Sequence, residues 1–298
     1  MLPALTVTII VALFLALRRE PLRLLRLVQR VSELRDRGKP DVAVELLQQA
    51  LSKGRKSPWL VNLAVEASIS AGRYSEALAM PTSITPTGPT DEANIVLVQI
   101  NLAEAEYNLG CWAAAWDRLG RLDDSAAPFE ITRAGLALQR AWILAHTNRP
   151  KEALSMWEQA DMDGLPYKYR AEHCFTRVAV LLALKRIEDA EEGAAAGADA
   201  AVRMSSERNA LFILARVAAS KGDWERVDAL SSAAAAHRYR GQGGDGLLLW
   251  GEVLSRLGRR TETRRAYELC IARDGQSESA RKAAARLRAM DCAPSNAV

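Results

Sequence analysis

Seven short turns, evenly spaced, constrain this chain more than any other feature. They read RGKPDVA around Gly38, AGRYSEA around Gly72, LGCWAAA around Gly110, TNRPKEA around Asn148, LKRIEDA around Lys185, KGDWERV around Gly222 and LGRRTET around Gly258. The turn residues stand 34, 38, 38, 37, 37 and 36 positions apart. A period of that length is the signature of stacked supersecondary units, each unable to bury its apolar face alone. Gly or Asn at the turn takes the left-handed conformation that closes a helix. Two residues later comes a bulky side chain (Tyr74, Trp112, Ile187, Trp224) or a proline (Pro40, Pro150). The bulky group fills the gap between two helices, and the proline suits a first helical turn. Five residues after the turn stands Ala43, Ala77, Ala115, Ala153 or Ala190, small enough for two helices to approach closely. Larger groups return nine positions on (Leu47, Leu119, Trp157, Tyr267), and Ala50, Ala160 or Ala234 follows at twelve. The segments before the turns are apolar on one helical face, as in Ile95-Val98-Leu102-Ala105-Leu109 and Leu211-Leu214-Ala215-Ala218.

Composition agrees. Hydrophobic residues make up 49% of the 298, enough for a continuous core. Ala, Leu, Arg and Glu dominate, all good helix formers, and runs with strand alternation are missing. The expected architecture is all-α: an α-solenoid of about seven helix-turn-helix repeats, with an apolar helix at the N-terminus.

This arrangement resembles the tetratricopeptide repeat family over about residues 24 to 275. The likeness is strongest from Asn94 to Leu122, where Leu102, Ala103, Tyr107, Gly110, Trp112 and Ala115 stand in family-like order. The glycine that the family places within the first helix of a unit occurs here as Gly251, with Ala103, Ala141 and Ala215 in its place elsewhere. Val227 and Thr263 replace the small alanine in the last two turns, and MPTSITPTGPTD from Met80 to Asp91 interrupts the second helix of unit two. The resemblance implies a concave groove, lined by the first helix of each unit, that binds an extended peptide or a helix of a partner protein. Carried onto this chain, the expected groove residues are Asn62, Glu66, Asn101, Glu104, Asn108, Gln139, Trp142, Phe175, Arg216 and Glu252. Asn amides both donate and accept, so they can hold a peptide backbone. The Lys-plus-Asn pattern that clamps a C-terminal carboxylate in some relatives is not visible, and no chaperone-tail binding is expected.

Before the array, Leu2 to Leu17 reads LPALTVTIIVALFLAL, uncharged, followed at once by Arg18 and Arg19. As a helix it would span roughly 24 Å, against about 30 Å for a hydrocarbon core. A cleavable signal peptide lacks its basic start and cleavage site here, and a buried core helix would show more polar positions than Thr6 and Thr8. A membrane anchor over residues 1–17 is the expectation, flanked by Arg18, Arg19 and Arg23. With no Lys or Arg before the apolar run, the positive-inside rule sets the repeat domain in the cytoplasm as part of a single-pass membrane protein. Residues 18–37 form a basic amphipathic helix, read as the first helix of the array, which could also lie near anionic headgroups. The repeat domain is placed at 38–290, ending in a basic, Ala-rich cap helix over Glu278 to Met290, with a flexible tail at 291–298.

Catalytic chemistry is not expected. The three histidines, His146, His173 and His237, match no nucleophile or metal-ligand spacing. The four cysteines form no C-x-x-C pair, with Cys174 and Cys270 on apolar helix positions. RGQGGDG at Arg240 to Gly246 lacks the strand-then-helix setting of a phosphate loop, and Asp245 there suits an N-terminal cap. A net charge of +4 with both signs interspersed does not indicate nucleic acid. No cofactor, metal or small-molecule substrate is expected. The reading is a non-enzymatic, membrane-anchored adaptor or assembly factor that recruits a protein partner through the groove. The alternative is a structural subunit of a larger membrane protein complex.

Overall fold

The computed structural model describes residues 26–34, 37, 39–53, 57–82, 85–122, 129–159, 167–202, 207–236 and 244–292. Among them there is no strand. After α1 (26–34) come α2 (Pro40–Ser52), α3 (Pro58–Ser70), α4 (Tyr74–Leu78), α5 (Pro89–Asn108), α6 (Trp112–Gly120), α7 (Glu130–His146) and α8 (Pro150–Glu158). The second half contains α9 (Tyr167–Ala183), α10 (Ile187–Val202), α11 (Glu207–Lys221), α12 (Trp224–Ala236), α13 (Gly244–Arg256), α14 (Arg260–Asp274) and α15 (Glu278–Cys292). Taken in pairs, these are seven antiparallel helix pairs followed by a single helix, a tetratricopeptide-like solenoid.

The turn chemistry produces this regularity. Gly72, Gly110, Asn148, Lys185, Gly222 and Gly258 all have φ between 61° and 78°. In every unit the amide one position after the turn residue bonds back five residues: Lys39 to the Leu34 carbonyl at 2.8 Å, Arg73 to Ser68 at 2.8 Å, Cys111 to Glu106 at 2.9 Å and Arg149 to Leu144 at 3.0 Å. Arg186 to Leu181, Asp223 to Ala218 and Arg259 to Leu254 repeat the pattern. This is the Schellman closure of the first helix, and the second helix begins at the very next residue. Prolines open α2, α3, α5 and α8, where their missing N–H is unneeded.

The small residue five past each turn is where the helices of a pair touch. Ala43, Ala77, Ala115, Ala153 and Ala190 are fully buried, and so are the departures Val227 and Thr263. Thr263 satisfies its hydroxyl by donating to the Arg259 carbonyl at 2.9 Å. The core runs as a chain of local clusters. Val31 and Leu34 of α1 pack with Val44, Leu47 and Leu60, and Phe212, Leu247, Tyr267 and Cys270 form the last cluster with Ala283 of α15. The proline-rich interruption cuts α4 to five residues.

The single-pass membrane placement requires correction. Among the described residues no helix is long and apolar enough to cross a membrane. The longest, α5, carries Asp91, Glu92, Glu104 and Glu106 and packs against its neighbours in the array. The apolar segment at residues 2–17, with Arg18, Arg19 and Arg23, lies outside the described residues, as does the tail beyond Cys292. The orientation read from those arginines goes with the placement that is corrected.

Candidate functional site

The first helices of successive units, α3, α5, α7, α9, α11 and α13, lie side by side, and α15 continues the row. They form the inner face on which the groove residues were expected. On α3 and α5, the Asn101 amide donates to Asn62 Oδ1 at 2.9 Å. That bond leaves the Asn62 amide N–H groups and Asn101 Oδ1 available along the same face. Asn108 donates to the Glu104 carbonyl one turn back at 2.8 Å, and Glu66 is half-buried on α3.

The centre of this face holds a ladder of rings. Tyr107 stacks on Trp112 with centroids 5.4 Å apart, Trp112 stacks on His146 at 5.4 Å, and His146 meets Trp142 at 4.5 Å. Arg216 reaches across from α11, its guanidinium carbon 5.9 Å from the Trp142 ring centroid and Nη2 3.4 Å from His146 Nε2. Burial, followed by the nearby Arg216 charge, depresses the His146 pKa to about 4, so its ring is neutral at neutral pH. Its Nδ1 lies 2.9 Å from the Trp142 carbonyl. Burial lowers the Arg216 pKa and raises that of Tyr107, on which Glu104, Asp245 and Glu172 also act. Gln139 Oε1 and Trp142 Nε1 are buried with no hydrogen-bond partner.

Two expected groove residues sit differently. Phe175 packs in the seam between α9 and α10, so close that a Cβ on Gly197 would lie 2.9 Å from its ring. Glu252 faces Arg286 of α15 at 3.4 Å and lines a hollow of about 230 Å³ with Trp224, Leu249 and Arg256. Tyr107, Trp112 and His146 were not expected in the groove. The first two read as repeat-packing residues, and a lone histidine gives no local signal.

A second constellation joins distant parts of the chain. The Tyr74 hydroxyl donates to Asp274 Oδ1 at 2.6 Å, and the Ser75 amide to Gln276 Oε1 at 2.9 Å. Trp112 Nε1 donates to Glu278 Oε2 at 3.3 Å, and Arg281 to the Leu109 carbonyl. The α14–α15 connector therefore rests on the turns of units two and three. Asp274 is 4% exposed. Burial raises its pKa, against the hydroxyls of Tyr74 and Ser277 that hold it down. The cap helix does more than shield the last unit, since its first turn closes the superhelix onto itself. Of the cysteines, Cys270 is buried with its thiol pKa pushed up to about 12 by burial, whereas Cys111 and Cys292 are exposed.

Comparison with known proteins agrees with this architecture. A tetratricopeptide repeat family model matches residues 34–100. No curated protein matches in sequence. Among solved structures, the chain is similar to a Rap protein complexed with competence and sporulation factor, at 13% identity and a TM-score of 0.57, covering 85% of this chain and 77% of that one. It also aligns with a tetratricopeptide repeat protein from Parabacteroides merdae at 11% identity and a TM-score of 0.48, over 87% of this chain and 98% of that one. At 13% identity the likeness to the Rap protein concerns the fold.

Proposed function

We propose that this chain is a non-enzymatic protein-interaction module that takes an extended segment of a partner protein along its inner face. The observation that carries the reading is the line of side-chain amides on successive first helices, Asn62, Asn101 and Gln139, all half-buried on one surface. An extended peptide presents alternating N–H and C=O groups, and amides are the side chains that can answer both. The Asn62–Asn101 pair supports this reading, since one amide bond is made between neighbouring first helices and the Asn62 N–H groups and Asn101 Oδ1 stand beside it. The Rap protein of similar fold is complexed with a factor, which supports binding as the use of such an array. The ring ladder adds amphipathic area that costs little conformational entropy to order. A scaffold or assembly role follows from recognition of this kind, because successive first helices line one continuous face.

The test is site-specific photo-crosslinking of the full-length chain in its native lysate. A photoreactive residue at position 62 should capture a defined partner, and one at position 188, exposed on the outer helix α10, should not. Capture from position 188 with none from position 62 would show that the inner face is not the recognition surface.

A further inference from the structure

Arg216 presents an unsettled charge balance in the middle of the inner face. Its guanidinium is half-buried, and among the described residues no carboxylate lies within ion-pair distance of it. Its polar neighbour is His146, a neutral imidazole, and its other neighbour is the face of Trp142. Asp245 attracts it from further away, but that carboxylate accepts a hydrogen bond from the Ser279 hydroxyl. Glu104 and Glu172, which also act on this region, have contacts of their own. A cation drawn out of water without a counter-charge is costly, so folds that retain one generally supply a partner. On α7, Trp142 Nε1 is a donor without a partner, and three residues before it Gln139, whose side chain is hydrogen-bonded to Tyr107, has an acceptor without a partner at Oε1.

We infer that Arg216, Trp142 and Gln139 form an anchor for an acidic side chain, Asp or Glu, within the peptide that the inner face binds. This rests on the peptide-binding reading above and adds what the peptide must carry. The carboxylate would accept from the Arg216 guanidinium, a charged donor, and from the indole N–H, a neutral one. Gln139 Oε1 would accept a backbone N–H of the same segment. Position favours a side chain over a chain terminus. The inner face continues past the anchor to Asn62 and Asn101 on one side and to α13 on the other, so a bound segment runs through this point rather than ending there.

The experiment uses the full-length chain, immobilised, and three pools of synthetic N-acetylated octapeptides. The first is randomised with Asp and Glu included and is C-terminally amidated. The second is the same with Asn and Gln in their place. The third is the acid-free pool with a free C-terminus. The first pool should be retained about tenfold or more over the second, the size expected of a charge-assisted bond, with Asp or Glu enriched at one register. Arg216→Gln should erase that preference, bringing the first and second pools to the same retention as each other. Arg216→Lys should keep part of it, and Trp142→Phe, which preserves the ring but not the N–H, should reduce it. Equal retention of the first and second pools would overturn the anchor and leave the peptide-binding reading standing. Retention of the third pool at the level of the first would assign the site to a terminal carboxylate and overturn the side-chain proposal. Retention of none would overturn both readings. A preference that survives in folded Arg216→Gln also overturns it, and if that variant does not fold, an undiminished preference in Trp142→Phe does so.

Discussion

Lys185 and Asn148 occupy left-handed turn positions that glycine fills in four other units. A side chain there meets the following carbonyl, at about 1–2 kcal/mol for an ordinary L-residue and less for Asn. The backbone adopts the conformation regardless, because the closing bonds from Arg186 and Arg149 are made at 2.9 and 3.0 Å. Lys185→Gly should therefore stabilise the protein by about 1 kcal/mol, the steric relief exceeding the added entropy of the unfolded chain. The urea midpoint should rise with an unchanged slope, and a fall would mean that the lysine stem contributes more than its strain costs. His146 gives a pH dependence. Its folded pKa, about 4, is below the ordinary 6.5, so its contribution to stability is full above pH 6.5 and is lost as pH falls through 4. The share at stake is up to about 3 kcal/mol. Arg216 and Asp245 are the charged groups that act on the ring. His146→Gln should flatten the dependence of unfolding free energy on pH between 6.5 and 4, measured by urea titration at several pH values. His173, depressed to about 4 by burial and Arg177, should keep a remaining slope in that variant.

Among the helices, the positions that were legible in the sequence are those whose chemistry is local. The turn residue, the helix start two residues on and the small contact five residues on follow from cap geometry and close approach, and each recurs in the structure. Three prolines and a glycine likewise marked the shortening of α4. Helical spacing assigns Phe175 to a face but does not reveal the neighbour that packs on it. α10 is rich in Ala and Gly, so α9 sinks against it and draws that ring into the seam. Gly251 shows the same principle in a useful form. A Cβ there would lie 2.3 Å from Cε1 of Tyr267, a side chain only 2% exposed. Gly251→Ala gains about 1 kcal/mol of helix propensity but forces the ring off its seat, at a typical cost of about 1–3 kcal/mol. The melting temperature should fall, and Tyr267→Leu introduced alongside should restore part of the loss. If the double variant loses the sum of both single effects, the two residues are not in steric conflict.

The closure of the whole array was not legible at all, because it depends on small rotations accumulated over several units. Tyr74 and Asp274 stand 200 positions apart, and nothing local to either announces the other. Its consequence can be measured. In an open solenoid each unit feels only its neighbours, so weakening the last helix leaves the second and third units untouched. Here α15 touches α13, α14 and the turn at Gly110, and the last residues of α14 touch the turn at Gly72, which makes the ends of the array mutually dependent. Removing the Tyr74 hydroxyl leaves Asp274 buried without that donor, and removing the Glu278 charge weakens the bond from Trp112. Hydrogen bonds to charged groups contribute about 1.5–3 kcal/mol each. The variant Tyr74→Phe with Glu278→Gln should therefore keep its helical circular dichroism while losing about tenfold or more of its amide protection. The loss should fall at 72–75 and 109–112 as well as in α15. Faster exchange confined to α15 would mean that the contact is incidental and the ends behave independently. Exchange that rises in all three places would show that the far end of the array holds units two and three in position. It would then also set the spacing between the Asn62–Asn101 pair and the Arg216 anchor across which a bound peptide must stretch.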